Sequence, residues 1–390
     1  MAHFGDLQNE IYLRGLGGER PDLPMTADGL ETAARGVLTR EAFDYVAGGA
    51  STERTVAANR EAFARWRVVP RMLRGVTERE LSTTVLGTPM SAPVLTAPIG
   101  VLGQVHADAE VAVTRAAAEL GLPSVLSTAS STPLEEVAAA APDAPRWFQL
   151  YWPRDEELAE SLVRRAQQAG NRAIVVTLDT WSVGWRPRDL TLAHLPFLRG
   201  EGIANYVSDP VFRSRLDAPP EESREAMQAA VLAWVQTFGN PTLTWADLAR
   251  LRDWTDLPIV LKGICHTDDA RMALDQGVDG IVVSNHGGRQ VDGARAALDC
   301  LPDVLAAVEG RADVLLDSGV RSGADALIAL ALGAQAVLLG RPWVYGLGLA
   351  GQRGVEHVLR VFLADLDLTM ALAGYANPAE LATQSLIREG

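Results

Sequence analysis

Along the chain, short apolar runs alternate with longer segments in which apolar residues recur at helical spacing. The runs are Val94–Ala97, Ser124–Ser127, Arg146–Leu150, Ala173–Leu178, Ile259–Lys262, Gly280–Ser284, Asp313–Leu316 and Ala336–Leu339. They are bounded by Gly, Pro or Asp, as parallel strands buried on both faces are. Helices are predicted between most of them, over Asp108–Leu120, Leu134–Ala140, Asp155–Ala169, Thr267–Gln276, Leu298–Val308 and Ser322–Leu332. Thr267 and Ser322 read as N-caps, with Asp268 and Asp325 placed to favour the positive helix end. Gly121, Gly170, Gly277 and Gly333 follow helix ends, where left-handed backbone costs glycine little.

Eight strands alternating with helices predict an α/β protein of the (β/α)8 TIM-barrel class. A doubly wound sheet would show a Gly-rich fingerprint after its first strand, and PIGVLGQVHAD is not GxGxxG. Two parts fall outside the barrel. Residues 1–90 form a preface, with a helical stretch from about Thr26 to Val46. A long insertion, 181–240, follows the fourth strand and has the length of a lid or binding loop. Its apolar stretches LPFLRG, IANYV and AAVLAWVQTF argue against disorder, and Asp217–Glu225 reads as its most mobile part. Residues 1–390 are therefore expected to form a single barrel domain.

Composition narrows the class. The formal charge is −14, with a pI near 4.9. A surface for nucleic acid or anionic lipid needs clustered Lys and Arg, so neither partner is expected. Hydrophobic residues at 48% and charged residues at 22% are values of a globular chain. No apolar run approaches the ~20 residues that span a bilayer. The start, MAHFGDLQNEIYLRG, has no basic segment followed by an apolar core, so no signal peptide is expected. Cys265 and Cys300 form no CxxC pair and fit a reducing cytoplasm.

In such a barrel the reactive groups sit at the C-terminal strand ends. Those ends read Ser127-Thr128, Gln149-Leu150-Tyr151, Thr177-Leu178-Asp179, Lys262, Ser284-Asn285-His286, Asp317 to Arg321, and Gly340-Arg341. Buried polar groups are costly without partners, so this concentration points to a ligand. In DSGVRSGAD and GRPWVYG, glycines, arginines and helix starts could converge on phosphate oxygens. The alternative there is two Gly-rich turns with solvated arginines. His286 is a candidate general base, and Arg289 could clamp a carboxylate. Lys262 ends a buried strand and needs an anion or electron-rich heterocycle, unless it reaches solvent at the rim. Asp179 could stabilise an imidazolium. Trp181 and Trp185, which flank the approach to Arg186, either wall a site or pack as ordinary aromatics. His3, His106, His194, His266 and His357 show no metal-ligand spacing, so no metal is expected.

Taken together, these residues resemble the FMN-dependent L-2-hydroxyacid oxidases and dehydrogenases. SNHGGRQ followed by DG is similar to that family's active-site signature. FDYVAGGA, FQLYW, VTLDT, VLKGI, LDSGVRSGAD and LGRP match in order, from about residue 25 to the C-terminus. The subgroup it most resembles is lactate 2-monooxygenase, through APIGV, GWRPRDL, LPFLRG, NYVSDPVF, LDCLP and the long insertion. The resemblance implies FMN as cofactor, a small 2-hydroxy acid and O2 as reactants, and a homotetramer or octamer. It implies that His286 takes the α-hydroxyl proton, with Asp179 stabilising the imidazolium. Arg289, Arg186 and Tyr45 would bind the substrate carboxylate, and Tyr151 would hydrogen-bond near the substrate oxygen. Lys262 would stand beside flavin N1. Ser127, Gln149, Thr177 and Ser284 would contact the isoalloxazine or ribityl chain. Asp317, Gly319, Arg321, Gly340 and Arg341 would hold ribityl and phosphate, and Ala97, Pro98, Ile99 and Gly100 would cover the flavin.

Four positions depart from relatives. Val46 replaces a tyrosine and Ala129 a tryptophan of the glycolate oxidases, and Ser318 replaces a common glycine. Asp292 is closer to the oxidases than to some monooxygenases. The implied reaction is oxidation of L-lactate or a similar acid. A keto acid trapped with peroxide would yield acetate, carbon dioxide and water, whereas early release would yield pyruvate and hydrogen peroxide. An acceptor other than oxygen would make a dehydrogenase. Gly100 and the insertion are the candidates for setting this choice. An FMN-dependent isopentenyl diphosphate isomerase fits SNHGGRQ and the paired arginines poorly. A non-catalytic FMN-binding protein leaves His286, Asp179, Arg289 and Tyr151 together unexplained.

Overall fold

In the computed structural model, which describes residues 3–389, the eight expected strands close into a parallel barrel. They are β1 (Val94–Thr96), β2 (Ser124–Ser127), β3 (Arg146–Leu150), β4 (Ile174–Thr177), β5 (Ile259–Lys262), β6 (Gly280–Val283), β7 (Asp313–Leu316) and β8 (Ala336–Leu339). Five of the eight match the sequence-based bounds, and three end one residue earlier. The helices that follow each strand are α1 (Ala109–Glu119), α2 (Leu134–Ala140), α3 (Glu156–Gln168), α4 (Leu248–Trp254), α5 (Thr267–Asp275), α6 (Ala297–Val308), α7 (Gly323–Leu332) and α8 (Arg341–Leu372). Met1, Ala2 and Gly390, at the ends of the expected 1–390 span, lie outside the described residues.

Strand alternation separates two cores. Leu95, Val125, Trp147, Val175, Val260, Val282, Leu315 and Leu338 point into the barrel and pack on one another. Their neighbours, among them Leu126, Phe148, Val176, Leu261 and Val283, face the helices. Two residues further along the inward row stand Ala97, Ser127, Gln149, Thr177, Lys262, Ser284, Asp317 and Gly340. The registers Ser127↔Gln149 and Thr177↔Lys262 hold these positions level at the barrel's C-terminal mouth.

The opposite mouth is closed by a hairpin, Thr83–Val85 with Thr88–Met90, that the sequence pattern did not announce. Its Val85 and Met90 join the inner core. Thr88 Oγ1 accepts a hydrogen bond from the buried Trp147 indole at 2.9 Å. The expected helix from Thr26 to Val46 is two helices, Ala27–Val37 and Arg40–Ala47. Leu38 is extended and Thr39 caps the second, so the chain turns there. Two further helices, Leu7–Leu16 and Arg54–Ala64, complete the preface. Ser322 caps α7 through a capping box with Asp325, as expected. Thr267 does not cap α5: it is the first helical residue, and the His266 ring accepts from the Asp268 amide instead.

The insertion contains helices Pro187–Thr191 and Arg224–Thr237 and buries its own aromatic cluster. Phe197 stacks on Trp234 at 4.7 Å, and Trp234 on Phe238 at 4.8 Å. Asn205 fastens it to the barrel, donating to the carbonyls of Ser127 (3.3 Å) and Thr128 (3.1 Å). The stretch expected to be mobile, Asp217–Glu225, carries the Ser223 helix cap and a Glu221–Arg213 ion pair. Among the described residues no helix is long and apolar enough to cross a membrane.

Thr88→Val keeps the hairpin's shape but leaves the Trp147 indole N–H buried without an acceptor. A loss of about 1–3 kcal/mol is expected, read as a lower urea midpoint.

Candidate active site

The C-terminal mouth opens into a cavity bounded by strand ends, the preface and the insertion. Ala97, Pro98, Ile99 and Gly100 line it from the end of β1, and Tyr45 and Val46 from the helix Arg40–Ala47. Tyr151, Arg186, Lys262, His286 and Arg289 line it from the middle strand ends. Asp317, Gly319, Arg321, Gly340 and Arg341 line it from the last two. Five expected site residues are not on its lining. Ser127, Gln149 and Ser284 form a buried layer at the strand ends. Thr177 lines a second, more apolar cavity of about 460 Å³ that shares Tyr151 and Thr180 with the first. Asp179 stands behind His286.

His286 Nδ1 lies 2.8 Å from Asp179 Oδ1, so the carboxylate holds the ring proton on Nδ1 and leaves Nε2 free to accept one. Thr180 Oγ1 donates to Asp179 Oδ1 (3.0 Å) and lies 3.0 Å from Nδ1. Burial lowers the His286 pKa and outweighs the Asp179 charge, which acts to raise it. The ring is therefore neutral at neutral pH, the form a base requires. Burial pushes the Asp179 carboxyl up, but His286 and Lys262 together bring it below its ordinary value. His286 itself has left-handed backbone (φ 57°), a costly conformation that its loop over-determines. Asn285 exchanges two 2.8 Å amide bonds with Asn59.

Ser318 is also left-handed, at φ 72°. Its hydroxyl donates to Asp317 (2.7 Å) and accepts from the Gly287 amide (2.9 Å), bonds that a glycine lacks. Asp292 holds the preface, accepting from the Thr52 hydroxyl (2.6 Å) and the Thr55 amide (3.0 Å).

Lys262 does not reach solvent. Its ammonium lies 3.0 Å from Asp317 Oδ2 and 2.9 Å from Ser284 Oγ. Burial depresses its pKa, yet Asp317 and Asp179 hold it above the ordinary value. Gln149 accepts from Ser127 Oγ at 2.9 Å, while its buried Nε2 has no partner among the described residues.

The guanidinium groups decide what the cavity takes. Arg186, Arg289, Arg321 and Arg341 have no carboxylate within ion-pair distance among the described residues, whereas surface arginines such as Arg60, Arg164 and Arg295 do. Burial and neighbouring arginines bring Arg289, Arg321 and Arg341 down to about 10. Arg289 bonds the Gly48 carbonyl (2.8 Å) and lies 5.0 Å over the Tyr45 ring. Arg341 donates to the carbonyls of Val46, Gly48 and Gly287. Arg321 has only the Val320 carbonyl as a side-chain partner among the described residues. Buried cations without a carboxylate partner call for anions. The orphaned Gln149 amide and the cationic loops after β7 and β8 fit a bound flavin phosphate.

Trp185 is 72% exposed, and Trp181 lines the second cavity and not the first. The aromatic wall is instead Phe197 and Phe238, with Phe238 edge-on to Tyr151 at 5.5 Å. Sequence reading assigned no role to these two, to Thr180 or to Gln290. Two of them carry a signal in the sequence: Thr180 follows Asp179 directly in VTLDT, and Gln290 ends SNHGGRQ.

The chain matches the FMN-dependent dehydrogenase family over residues 34–388. It is 44% identical over 379 residues to the L-lactate oxidase of Lysinibacillus sphaericus (strain C3-41), covering 97% of this chain and 96% of that protein. It is 45% identical over 380 residues to the FMN-dependent alpha-hydroxy acid dehydrogenase qulF of Penicillium citrinum, covering 97% and 94%. Among solved structures, mandelate oxidase with (S)-4-hydroxymandelic acid superposes with a TM-score of 0.82 at 41% identity, over 93% of this chain and 98% of that one.

The rate on the acid side should fall as His286 protonates, with an apparent pKa below the ordinary imidazole value of about 6.5. Asp179→Asn removes the charge that raises His286, so the acid limb should move to still lower pH. The plateau should drop by about 10²–10⁴-fold. Profiles of kcat/KM against pH for both proteins check the two shifts.

Proposed function

Because the chain belongs to the FMN-dependent dehydrogenase family, we propose that it oxidises L-lactate or a similarly small L-2-hydroxy acid as a lactate 2-monooxygenase. The products of lactate and O2 are then acetate, carbon dioxide and water. The observation that carries a 2-hydroxy acid is the pairing of His286–Asp179 with two guanidinium groups, Arg186 and Arg289, that have no carboxylate partner among the described residues, in one cavity.

FMN, when bound, supplies the acceptor for the two electrons that leave the substrate α-carbon. The residues do the rest. Arg186 and Arg289, with Tyr45, bind the carboxylate and orient the α-carbon. His286 Nε2 takes the hydroxyl proton, and Asp179 stabilises the imidazolium. Tyr151, whose phenol burial pushes well above its ordinary pKa, stays protonated and donates to the substrate oxygen. Lys262 would set positive charge beside the cofactor's ring system. Arg321 and Arg341, with Gly319 and Gly340, would hold its phosphate. Asp317 fixes Lys262, and Ser127, Gln149, Thr177 and Ser284 would hold the ring system and ribityl chain, with Ala97 to Gly100 as cover.

Retention of the keto acid is supported by the insertion, which sets Phe197 and Phe238 against the cavity. The single barrel with its preface and this lid then works as one catalytic domain. Release of pyruvate and hydrogen peroxide is the second reading, favoured by the relatives named oxidases. A cytoplasmic homotetramer or octamer is part of the proposal.

Anaerobic L-lactate should bleach the yellow flavin, and no bleaching by any 2-hydroxy acid overturns the proposal. Under air, acetate should then exceed pyruvate and peroxide.

Gly100 tests retention. A methyl group there would stand 2.4 Å from the Ala129 carbonyl oxygen, so Gly100→Ala must displace that segment. Flavin reoxidation in stopped flow should change by up to about tenfold, ~1.4 kcal/mol of barrier, with products moving toward pyruvate and peroxide. An unchanged reoxidation rate removes Gly100 from this role.

A further inference from the structure

We infer that Gln290 is a positioning residue: its side-chain amide sets Arg186 for the substrate carboxylate and locks the segment carrying Asp179 onto the loop carrying His286. The inference rests on the proposed 2-hydroxy acid reaction and names a part of that site to which no role has been given.

The geometry of one amide carries it. Gln290 Oε1 accepts from Arg186 Nη2 at 2.7 Å and from the Gly184 amide at 3.3 Å. Its Nε2 donates to the carbonyls of Asp179 and Ser182, both at 2.8 Å. Both donors and both acceptor sites are thus used, and all four partners lie on one stretch of chain, from Asp179 to Arg186. A glutamate could not donate to the two carbonyls, and a lysine could not accept from the guanidinium. Only an amide of this length makes both kinds of bond.

Two further contacts bring the same segments together without the amide. Arg186 Nε donates to the Arg289 carbonyl at 3.1 Å. A Cβ on Gly184 would stand 2.6 Å from the Arg289 carbonyl oxygen and 2.8 Å from that of Gln290. The two backbones therefore touch where any side chain would part them. Arg186, long and rotamer-rich, is held at Nε and at one Nη, and its remaining donors are free for an anion. Fixing it in advance removes an ordering cost from binding. The same amide ties the position of Asp179, and so of the imidazole it orients, to the position of the carboxylate clamp.

The test uses the FMN-loaded protein and oxalate, titrated by its perturbation of the flavin absorbance, so that affinity is read without turnover. Gln290→Met keeps the side-chain length and loses all four bonds. It should raise the oxalate Kd by about tenfold, and by less than about twofold when Arg186→Ala is already present, because the effect passes through Arg186. KM should rise with Kd, and the limiting rate of anaerobic flavin reduction should fall by more than about threefold, because the amide also ties down Asp179 behind His286. An equal loss in both backgrounds, or an oxalate Kd that does not rise, overturns the inference. If Gln290→Met fails to fold, Gln290→Asn serves: its amide is one methylene too short to reach Arg186 and adds no charge, so it too should weaken oxalate only while Arg186 is present. If the unaltered protein binds oxalate but L-lactate leaves its flavin oxidised, the reaction is wrong and the role of Gln290 in anion binding is still decided by the cycle.

Discussion

A guanidinium taken out of water keeps its charge, and it must be met by something. In this barrel four of them, Arg186, Arg289, Arg321 and Arg341, face one cavity without a carboxylate partner among the described residues. Backbone carbonyls from the turn at Tyr45 to Gly48 meet part of the need of Arg289 and Arg341. Carbonyl dipoles lower the cost but do not neutralise the charge. The rest of the site is organised around that imbalance. The preface folds over the barrel mouth to supply the carbonyls, and Asp292 holds the preface in place through Thr52 and Thr55. An acidic protein thereby keeps a strongly cationic interior.

The barrel supplies the other half of the arrangement through strand register. A two-residue period that buries Val260, Val282 and Leu315 in the inner core delivers Lys262, Ser284 and Asp317 at the next inward step. Folding the core and assembling the polar layer are one event, because a register slip would misplace both. The hairpin below and the cavity above close the same inner column, with Trp147 bonded to the hairpin and Gln149 two residues above it.

How legible this was in the sequence depends on the range of the interactions. The barrel strands were legible because burial on both faces leaves short apolar runs with sharp boundaries. The site residues were legible because polar side chains directly after such runs are conspicuous, and His286, Asp179, Lys262 and the arginines do gather at one mouth. Thr83–Val85 and Thr88–Met90 were not legible. Strands of three residues carry no period, and their partner, Trp147, is about 60 residues away. The break at Leu38 was hidden because apolar spacing continues through it. Thr267 looked like a cap because capping residues are common there, but the His266 ring reached the amide first. Phe197 and Phe238 read as ordinary residues, and Gln290 stands in SNHGGRQ without a role, because what they do depends on partners more than 40 positions away, set by the insertion's own packing.

Charge balance joins these parts into one reaction. Lys262 and Asp317 cancel as a pair. Asp179 contributes one negative charge beside a neutral His286, and Arg186 and Arg289 contribute two positive ones. Arg186 and Arg289 therefore leave positive charge at the free substrate end of the site, which a carboxylate offsets. In the proposed reaction, binding a 2-hydroxy acid anion answers that charge, in surroundings where uncompensated charge is costly. Moving the hydroxyl proton to His286 then shifts charge within the set. It places an imidazolium against Asp179, where a 2.8 Å bond already waits. A neutral ligand would leave the arginines uncompensated. In the proposed reaction the site therefore selects an anion before any side chain is read, and the aromatic wall and the small Ala129 stand to act on what lies beyond the α-carbon.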